Sequence, residues 1–379
     1  MSSPTKAVFI YSPALDRFSY PQLCPFDSRR AGIVRQIAAS MGLLTGRDRE
    51  ERAPRALERE IAEKFHKPEY LDLLQTVSVE NFAAEALWMG LGTEECPVFD
   101  GLYDYASLAS GGSVDGARLI LSGEASSVFN PSGGFHHAAP ERASGFCYIN
   151  DVVLACMVLA DAGKQVLFLD LDAHHGDGVQ NAFFARNDVL TLSIHESGET
   201  LFPGSGFVPE IGEGAGRGYA VNVPLPAGTY DEAYLTAFRE VVLPLTHAFS
   251  PDVFVLELGM DGLAGDPLTH LSLTNNAYAE ALELIMAFGR PILATGGGGY
   301  NVENTTRGWA LMWSILCGDA AASDMTLGLG GVMLASTEWA GGLRDRVLAP
   351  AAQQRRLVDS QVRQTIEAVR ALVFPLHGI

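Results

Sequence analysis

Residues 166–177 read VLFLDLDAHHGD and lead from an apolar run straight into acids and histidines. The run VLFL predicts a buried strand of a parallel sheet, since such strands are continuous in Val, Leu and Phe. Strand side chains alternate between faces, so Asp170, Asp172 and His174 would point the same way while the chain stays extended. Buried carboxylates are costly unless they are paired or bind a metal. A plain strand-to-loop turn explains Asp177 but not acids that alternate inside a strand, and we therefore predict a metal site here.

A second acid follows another apolar strand. Residues 253–266 read VFVLELGMDGLAGD, in which Asp261 comes shortly after the strand. An isolated acid of this kind is more often a loop residue than a ligand. Together, however, Asp172, His174 and Asp261 would offer Zn²⁺ two carboxylates and one imidazole, which leaves a coordination position open for water. An open position is typical of a catalytic metal rather than a structural one.

Two adjacent histidines follow a third short strand. They are His136 and His137 in GGFHHA, residues 133–138. A single histidine is usually structural, but two at a strand end indicate proton transfer. Asp170 and Asp177 could each orient one of the two imidazoles.

A run of four glycines precedes Tyr300 in LATGGGGYN, residues 293–301. No Lys-Ser or Lys-Thr follows, so the P-loop interpretation fails, and the dinucleotide fingerprint is also weak here. The glycines favour a hinge that brings Tyr300 to a reacting oxygen. A phenol there can donate a hydrogen bond to a developing oxyanion.

The order of the apolar runs predicts an α/β fold. Strand-length runs occur at 7–10, 127–129, 166–171, 189–194, 253–258 and 292–295, with helical periods between them, as at 151–162 and 232–248. Alternating strands and helices indicate a central parallel sheet with helices on both faces. The active site is then expected at the carboxyl ends of the strands, where the acids, the histidines and Tyr300 fall. We interpret the charged stretch 47–64 as an exposed face.

The composition is that of a folded, acidic protein. Of 379 residues, 47% are apolar and 19% are charged, and the net charge is −19. This charge disfavours nucleic acid as a partner and would attract cationic ligands, although solubility alone is the simpler interpretation. Five cysteines without a C-x-x-C pair favour a reducing cytoplasm. We recognise neither a leader peptide nor an apolar run long enough for a membrane span, and we predict a cytoplasmic location.

Six motifs in order resemble the zinc-dependent histone deacetylase family of the arginase/deacetylase superfamily. They are GGFHHA, SGFCYIND, LDLDAHHGDGVQ, LFPGSG, LELGMDGLAGDPL and GGGGYN. GGFHHA and HHGDG look like the class I branch and its bacterial relatives, which include the acetoin-utilisation deacetylases. The resemblance implies the three-layer arginase/deacetylase fold and a single catalytic domain over residues 1–379. It also implies removal of an acetyl or other short acyl group from the ε-amine of lysine in a protein or peptide.

The resemblance assigns roles to matching residues. The ligands of Zn²⁺, or of Fe²⁺ in the cell, would be Asp172, His174 and Asp261. The catalytic residues would be His136 with Asp170, His137 with Asp177, and Tyr300. The acyl-lysine would contact Glu95, Gly145, Phe146, Phe202 and Leu268. A K⁺ or Na⁺ near the zinc would bind Asp170, Asp172, His174, Ser193 and Ile194, and an outer site would use Phe183, Arg186, Val189 and Tyr219. Arg30 would be an internal arginine near the acetate-release channel.

The sequence leaves several alternatives open. Glu95 stands where the class I pattern usually has aspartate, which puts recognition of the substrate backbone in doubt. An acetylpolyamine or other small acylated-amine amidohydrolase would use the same chemistry, and the acidic charge suits a cationic substrate. An arginase-like enzyme would need more acids and histidines to bridge two manganese ions. A catalytically silent module would not need both histidines, Tyr300 and all three metal ligands. Acyl preference and oligomeric state are not readable from the chain.

Overall fold

Eight strands form one parallel sheet in the parts of the chain that the computed structural model describes, residues 6–79, 82–319 and 342–379. They are β1 Ala7–Ile10, β2 Arg49–Arg52, β3 Ser127–Asn130, β4 Val166–Asp170, β5 Val189–Glu196, β6 Ala220–Leu225, β7 Val253–Glu257 and β8 Ile292–Thr295. Their order across the sheet is β2-β1-β3-β8-β7-β4-β5-β6. Because β4 and β7 are neighbours, with Asp170 opposite Glu257, the two motifs that follow them begin side by side.

The helices are α1 Arg30–Ser40, α2 Arg59–Ala62, α3 Pro68–Thr76, α4 Leu102–Leu121, α5 Asp151–Asp161, α6 Asp177–Phe183, α7 Asp231–Ala237, α8 Leu243–Phe249, α9 Asn275–Met286, α10 Val302–Leu316 and α11 Ala352–Val373. A π-helical turn, Phe238–Val242, joins α7 to α8. Among the described residues, no helix combines the length and apolar character that crossing a bilayer requires.

Helices cover both faces of the sheet, which confirms the predicted three-layer α/β fold. On one face, α4, α5 and α6 pack with strand residues such as Val128 and Phe168. On the other, α1 and α7 to α11 pack with Leu167 and Leu169. The alternation of Leu167, Phe168 and Leu169 between the two cores explains why β4 is apolar at every position. The extent of a single domain over residues 1–379 stays a prediction, since 320–341 lie outside the described residues.

All six strands predicted from apolar runs are present, and two edge strands were missed. β2 has the sequence REER and pairs with β1 through its backbone, while Glu50 and Glu51 form ion pairs with Lys6 and Arg35. The interpretation of 47–64 as an exposed face is therefore wrong for this strand, whose residues are half-buried. An edge strand needs partners on one side only, so charged side chains are tolerated there. β6, at the opposite edge, contains Pro224, which also suits an edge.

Candidate active site

Asp172, His174 and Asp261, here called the ligand triad, meet at the carboxyl ends of β4 and β7. Nδ1 of His174 is 3.1 Å from Oδ1 of Asp172 and 2.7 Å from Oδ2 of Asp261. All three side chains are buried, and their candidate ligand atoms lie within 4.8 Å of one another. Backbone N–H groups fix both carboxylates, since Gly298 donates to Asp172 and Ala173 donates to Asp261.

The ligand triad fits a divalent metal ion. Burial alone lowers the pKa of His174, but the charges of Asp261 and Asp172 outweigh it and raise this pKa to about 10. Burial raises the pKa of Asp261 to about 7, and the charge of Asp172 adds to the shift. Two carboxylates and one imidazole in the protein interior thus require positive charge among them. Zn²⁺ and Fe²⁺ both accept this combination of oxygen and nitrogen ligands.

His136 and His137, here called the histidine pair, lie beside the ligand triad with their Nε2 atoms 3.0 Å apart. Nδ1 of His136 is 3.1 Å from Asp170, and Nδ1 of His137 is 2.8 Å from Asp177. If each Nδ1 donates its hydrogen to a carboxylate, the facing Nε2 atoms need one further proton between them.

The surroundings decide which histidine holds that proton. Burial alone lowers the pKa of His136, yet Asp170, Glu257 and Asp172 raise it well above its usual value. Burial, together with the charge of His136, lowers the pKa of His137 to about 4. These opposite shifts favour the shared proton on His136 and leave His137 the better candidate for an uncharged base.

Buried polar groups fix the loop that carries the histidine pair. Asp151, the first residue of α5, accepts hydrogen bonds from the Ser113 hydroxyl and from two backbone N–H groups of the glycine-rich loop. Asn150 donates its side-chain amide to the carbonyl oxygens of His136 and Ala138. The histidines are thus held from behind by the start of α5.

His66 holds the start of α5, and its lowered pKa predicts that the free energy of unfolding depends on pH. Its Nε2 accepts the backbone N–H of Asn150 at 2.9 Å, and burial lowers its pKa to about 4. The unfolded chain binds a proton at His66 below its usual pKa of 6.5, whereas the folded chain does so only near 4. His66 therefore lowers the free energy of unfolding as the pH falls between these values. From about pH 7 to about pH 5 its contribution decreases by about 2 kcal/mol.

Urea unfolding of the wild type and of His66→Gln at these two pH values measures the effect. Glutamine can accept the same N–H but does not titrate, so the variant should lose less stability on acidification. The same loss in both proteins would contradict the assignment.

Tyr300 lies at the end of the glycine run after β8. Its ring centroid is 6.2 Å from that of His174 and 5.7 Å from that of Phe146. The carboxylate of Asp266 accepts its backbone N–H at 2.8 Å. The buried guanidinium of Arg30 donates to two carbonyl oxygens of the glycine run, at 2.6 and 2.9 Å. The segment that presents Tyr300 is therefore held from two sides.

Phe146 and Phe202 lie beside residues of the candidate site, Phe146 next to Tyr300 and Phe202 next to His174. The Phe202 ring centroid is 5.0 Å from that of His137. Gly145 has φ +53°, and a Cβ there would lie 2.5 Å from the His137 ring and 3.0 Å from the Phe202 ring. Only glycine suits this conformation and this close approach. Gly145 thus lets the backbone next to Phe146 pass close to the rings of His137 and Phe202.

Glu95 and Leu268 are the two remaining predicted substrate residues. Glu95 is exposed, and the neighbouring Cys96 lies close to the carbonyl oxygen of Cys147, one residue after Phe146. Leu268 is half-buried, and its N–H donates to Asp266, the acid that also holds Tyr300.

The residues predicted for monovalent cations fall into two groups. Asp170 lies opposite Ser193 in neighbouring strands, so the inner group gathers where β4 ends, beside the middle of β5. In the outer group, the N–H of Arg186 donates to the carbonyl of Phe183. The carbonyl of Tyr219 accepts the N–H of Thr191, a residue of β5.

Glu257, the last residue of β7, is a fully buried acid to which the sequence reasoning gave no role. Its Oε1 is 3.8 Å from Nδ1 of His136 and has no hydrogen-bond partner among the described residues, while Oε2 accepts from Thr295. Burial, reinforced by Asp170, raises its pKa well above the usual range. With His136 and Asp172 it forms a second group whose candidate ligand atoms lie within 4.8 Å. An acid inside the apolar run VFVLELG was the available signal.

Comparisons with known proteins agree on one family. Residues 24–316 match the model described as "Histone deacetylase domain". The chain is 37% identical over 318 residues to Histone deacetylase RPD3 of Saccharomyces cerevisiae, covering 83% of this chain and 72% of the relative. It is 37% identical over 307 residues to Histone deacetylase 1 of Homo sapiens, covering 80% of this chain and 63% of the relative.

Two solved structures have the same fold. The structure of an HDAC homolog from Aquifex aeolicus matches with a TM-score of 0.85 and 30% identity, over 96% of this chain and all of its own. The structure of an HDAC homolog complexed with SAHA matches with a TM-score of 0.84 and 30% identity, over 97% of this chain and all of its own.

Proposed function

The chain belongs to the histone deacetylase family, and we propose that it is a metal-dependent amidohydrolase acting on acylated lysine. The substrate would be a peptide or protein that carries an acetyl or other short acyl group on the lysine ε-amine. One observation carries the proposal. A buried ligand triad lies beside two histidines that are each backed by an aspartate, with the ring of Phe202 next to His137 and the ring of Phe146 next to Tyr300.

The ligand triad would hold Zn²⁺, or Fe²⁺ in the cell. When bound, such an ion acidifies a water molecule and polarises a carbonyl oxygen. The protein supplies the proton transfers. His137, uncharged at neutral pH and oriented by Asp177, takes the proton of the attacking water. As the amide C–N bond breaks, a proton from the histidine pair passes to the leaving amine. The products are a free lysine amine and a carboxylate.

We place the substrate's approach to the ligand triad between Phe146 and Phe202, where it would suit the aliphatic stem of lysine. Phe146 and Phe202 offer apolar ring surface to the four methylenes of lysine, whereas the acyl amide itself is uncharged. Glu95 at the exposed end would accept N–H groups from the substrate backbone or attract a cationic neighbour. The net charge of −19 favours such cationic partners over nucleic acid. Monovalent cation binding and a cytoplasmic location stay predictions.

The deciding test is an activity profile over acetyl-, propionyl- and longer acyl-lysine peptides and over acetylputrescine. We expect hydrolysis of acyl-lysine peptides at rates well above that of acetylputrescine. A preference for acetylputrescine would make the chain an acylated-amine amidohydrolase. The absence of any hydrolysis would contradict the proposed function.

Metal removal gives a separate prediction. Dialysis against dipicolinate should abolish hydrolysis, and added Zn²⁺ or Fe²⁺ should restore it, because the bound ion would acidify the attacking water and polarise the acyl carbonyl. His174→Ala, which removes one ligand, should not be restored. Metal analysis should give one divalent ion per chain. Two ions per chain would instead indicate that Glu257, His136 and Asp172 hold a second one, as in an arginase-like enzyme.

A further inference from the structure

The loop of residues 197–206 carries Phe202, whose side chain remains 37% exposed. Three backbone hydrogen bonds shape the loop internally: the N–H groups of Thr200 and Leu201 donate to Ser197, and that of Gly204 donates to Leu201. At its start the loop is attached to the sheet, since the N–H of Ser197 donates to the carbonyl of Leu225 in β6 and the Thr200 hydroxyl donates to Glu196 at the end of β5. None of these bonds holds the far end of the loop, at Ser205 and Gly206. A wall that aligns a reacting group must keep its position to within a fraction of an ångström, so the attachment matters.

His195 in β5 attaches the end of this loop and is completely buried. Its Nε2 is 3.0 Å from the carbonyl oxygen of Gly206, and its Nδ1 is 2.7 Å from the hydroxyl of Ser193. A carbonyl oxygen only accepts, so Nε2 carries the ring hydrogen and donates it to Gly206. Nδ1 is then the acceptor of a hydrogen bond that Ser193 donates. A single neutral tautomer satisfies both ring nitrogens.

The loop backbone also packs directly on this ring. Gly206 has φ +82°, and a Cβ there would lie 2.4 Å from Nε2 of His195 and 2.6 Å from Cγ of His175. The two imidazole centroids are 4.9 Å apart, and Nδ1 of His175 is 2.9 Å from the hydroxyl of Ser205. Buried imidazoles therefore hold the last two residues of the loop.

We propose that His195 is a positioning residue that fixes the Phe202 wall, an inference that rests on the proposed function. Phe202 is four residues from Gly206, so a shift at the anchored end moves its ring relative to His137. A ligand with a long aliphatic stem depends on that wall. A ligand that reaches the ligand triad without a stem does not.

Four variants distinguish the effect of the two His195 hydrogen bonds from the effect of side-chain volume. His195→Phe keeps an aromatic ring and removes both hydrogen bonds. His195→Gln keeps a donor near the position of Nε2, whereas His195→Asn keeps a group near Nδ1 but is too short to reach Gly206. The matched control is His377→Phe, since Nε2 of His377 also lies 2.8 Å from a glycine carbonyl, that of Gly218 in another loop.

The measurement is the Kd of SAHA, a linear hydroxamate, and of acetohydroxamate, which has no stem, on zinc-loaded protein. Thermal unfolding first checks that each variant folds. His195→Phe and His195→Asn should bind SAHA about tenfold more weakly, a difference of about 1.4 kcal/mol, since a buried carbonyl loses its donor. Acetohydroxamate binding should not change, and His195→Gln and His377→Phe should resemble the wild type. If His195→Phe does not fold, His195→Asn against His195→Gln is the deciding pair.

An unchanged Kd for SAHA in the folded His195→Phe or His195→Asn variant would overturn the inference. Equal weakening of both hydroxamates would also overturn it, because the effect would then lie at the ligand triad. If the wild type with its full metal content bound neither hydroxamate, the proposed function would fail, and this inference with it.

Discussion

Replacing His137 with alanine should lower kcat by about two to four orders of magnitude, the usual contribution of a positioned acid–base group. His137 is the residue of the histidine pair that remains uncharged, and its Nδ1 is held at 2.8 Å by Asp177. Without it, the remaining histidine of the pair, His136, has a raised pKa and is a poor acceptor for a proton from water. KM and metal content should change little, because His137 is not a member of the triad.

The lowered pKa of His137 predicts how kcat/KM of the wild type depends on pH. The pKa of His137 is lowered to about 4, so kcat/KM should be lost as the pH falls towards that value rather than as it rises. A matched variant is Asp177→Asn, which leaves the imidazole in place with a weaker acceptor at Nδ1 and should cost less than His137→Ala. Wild-type turnover in His137→Ala with its metal bound would assign the proton transfer to another group.

The ligand triad was predictable because two of its members are two residues apart on one strand end. Alternation along a strand aligns Asp172 with His174, and an acid in an apolar run is unusual enough to need an explanation. Asp261 required the further step that its strand ends at the same edge of the sheet. The structure brings Asp261 to Asp172 and His174 because β4 and β7 are adjacent, while metal binding by the three stays a prediction.

The residues that hold the site in place were not predictable in the same way. Asp151 and Asp266 bind backbone N–H groups of loops distant in sequence, and nothing in the residues next to them reveals those partners. Gly145 was assigned by resemblance alone, and only its positive φ and the nearby His137 ring explain why it is glycine. β2 was missed because an edge strand needs no apolar pattern.

Tyr300→Phe should lower kcat by about two to three orders of magnitude, the usual cost of removing one donor to a developing oxyanion. Burial, together with the charges of Asp261 and Asp172, raises the pKa of Tyr300 well above its usual value, so the phenol keeps its hydrogen at neutral pH. Phenylalanine retains the ring contacts with Phe146 and His174. The loss should therefore appear in kcat, with KM and metal content close to those of the wild type.

The control for Tyr300→Phe is Tyr278→Phe, measured alongside it. Tyr278 is a fully buried tyrosine of α9 whose hydroxyl faces Gly262, next to Asp261, and its ring packs in the core between the sheet and α7 to α11. Removing its hydroxyl changes the same number of atoms at a similar depth, and should leave kcat unchanged. If both variants lost activity equally, the effect would be one of packing around Asp261. Near-normal turnover in Tyr300→Phe would reject the phenol as an oxyanion donor, because no geometric change accompanies the loss of its hydrogen bond.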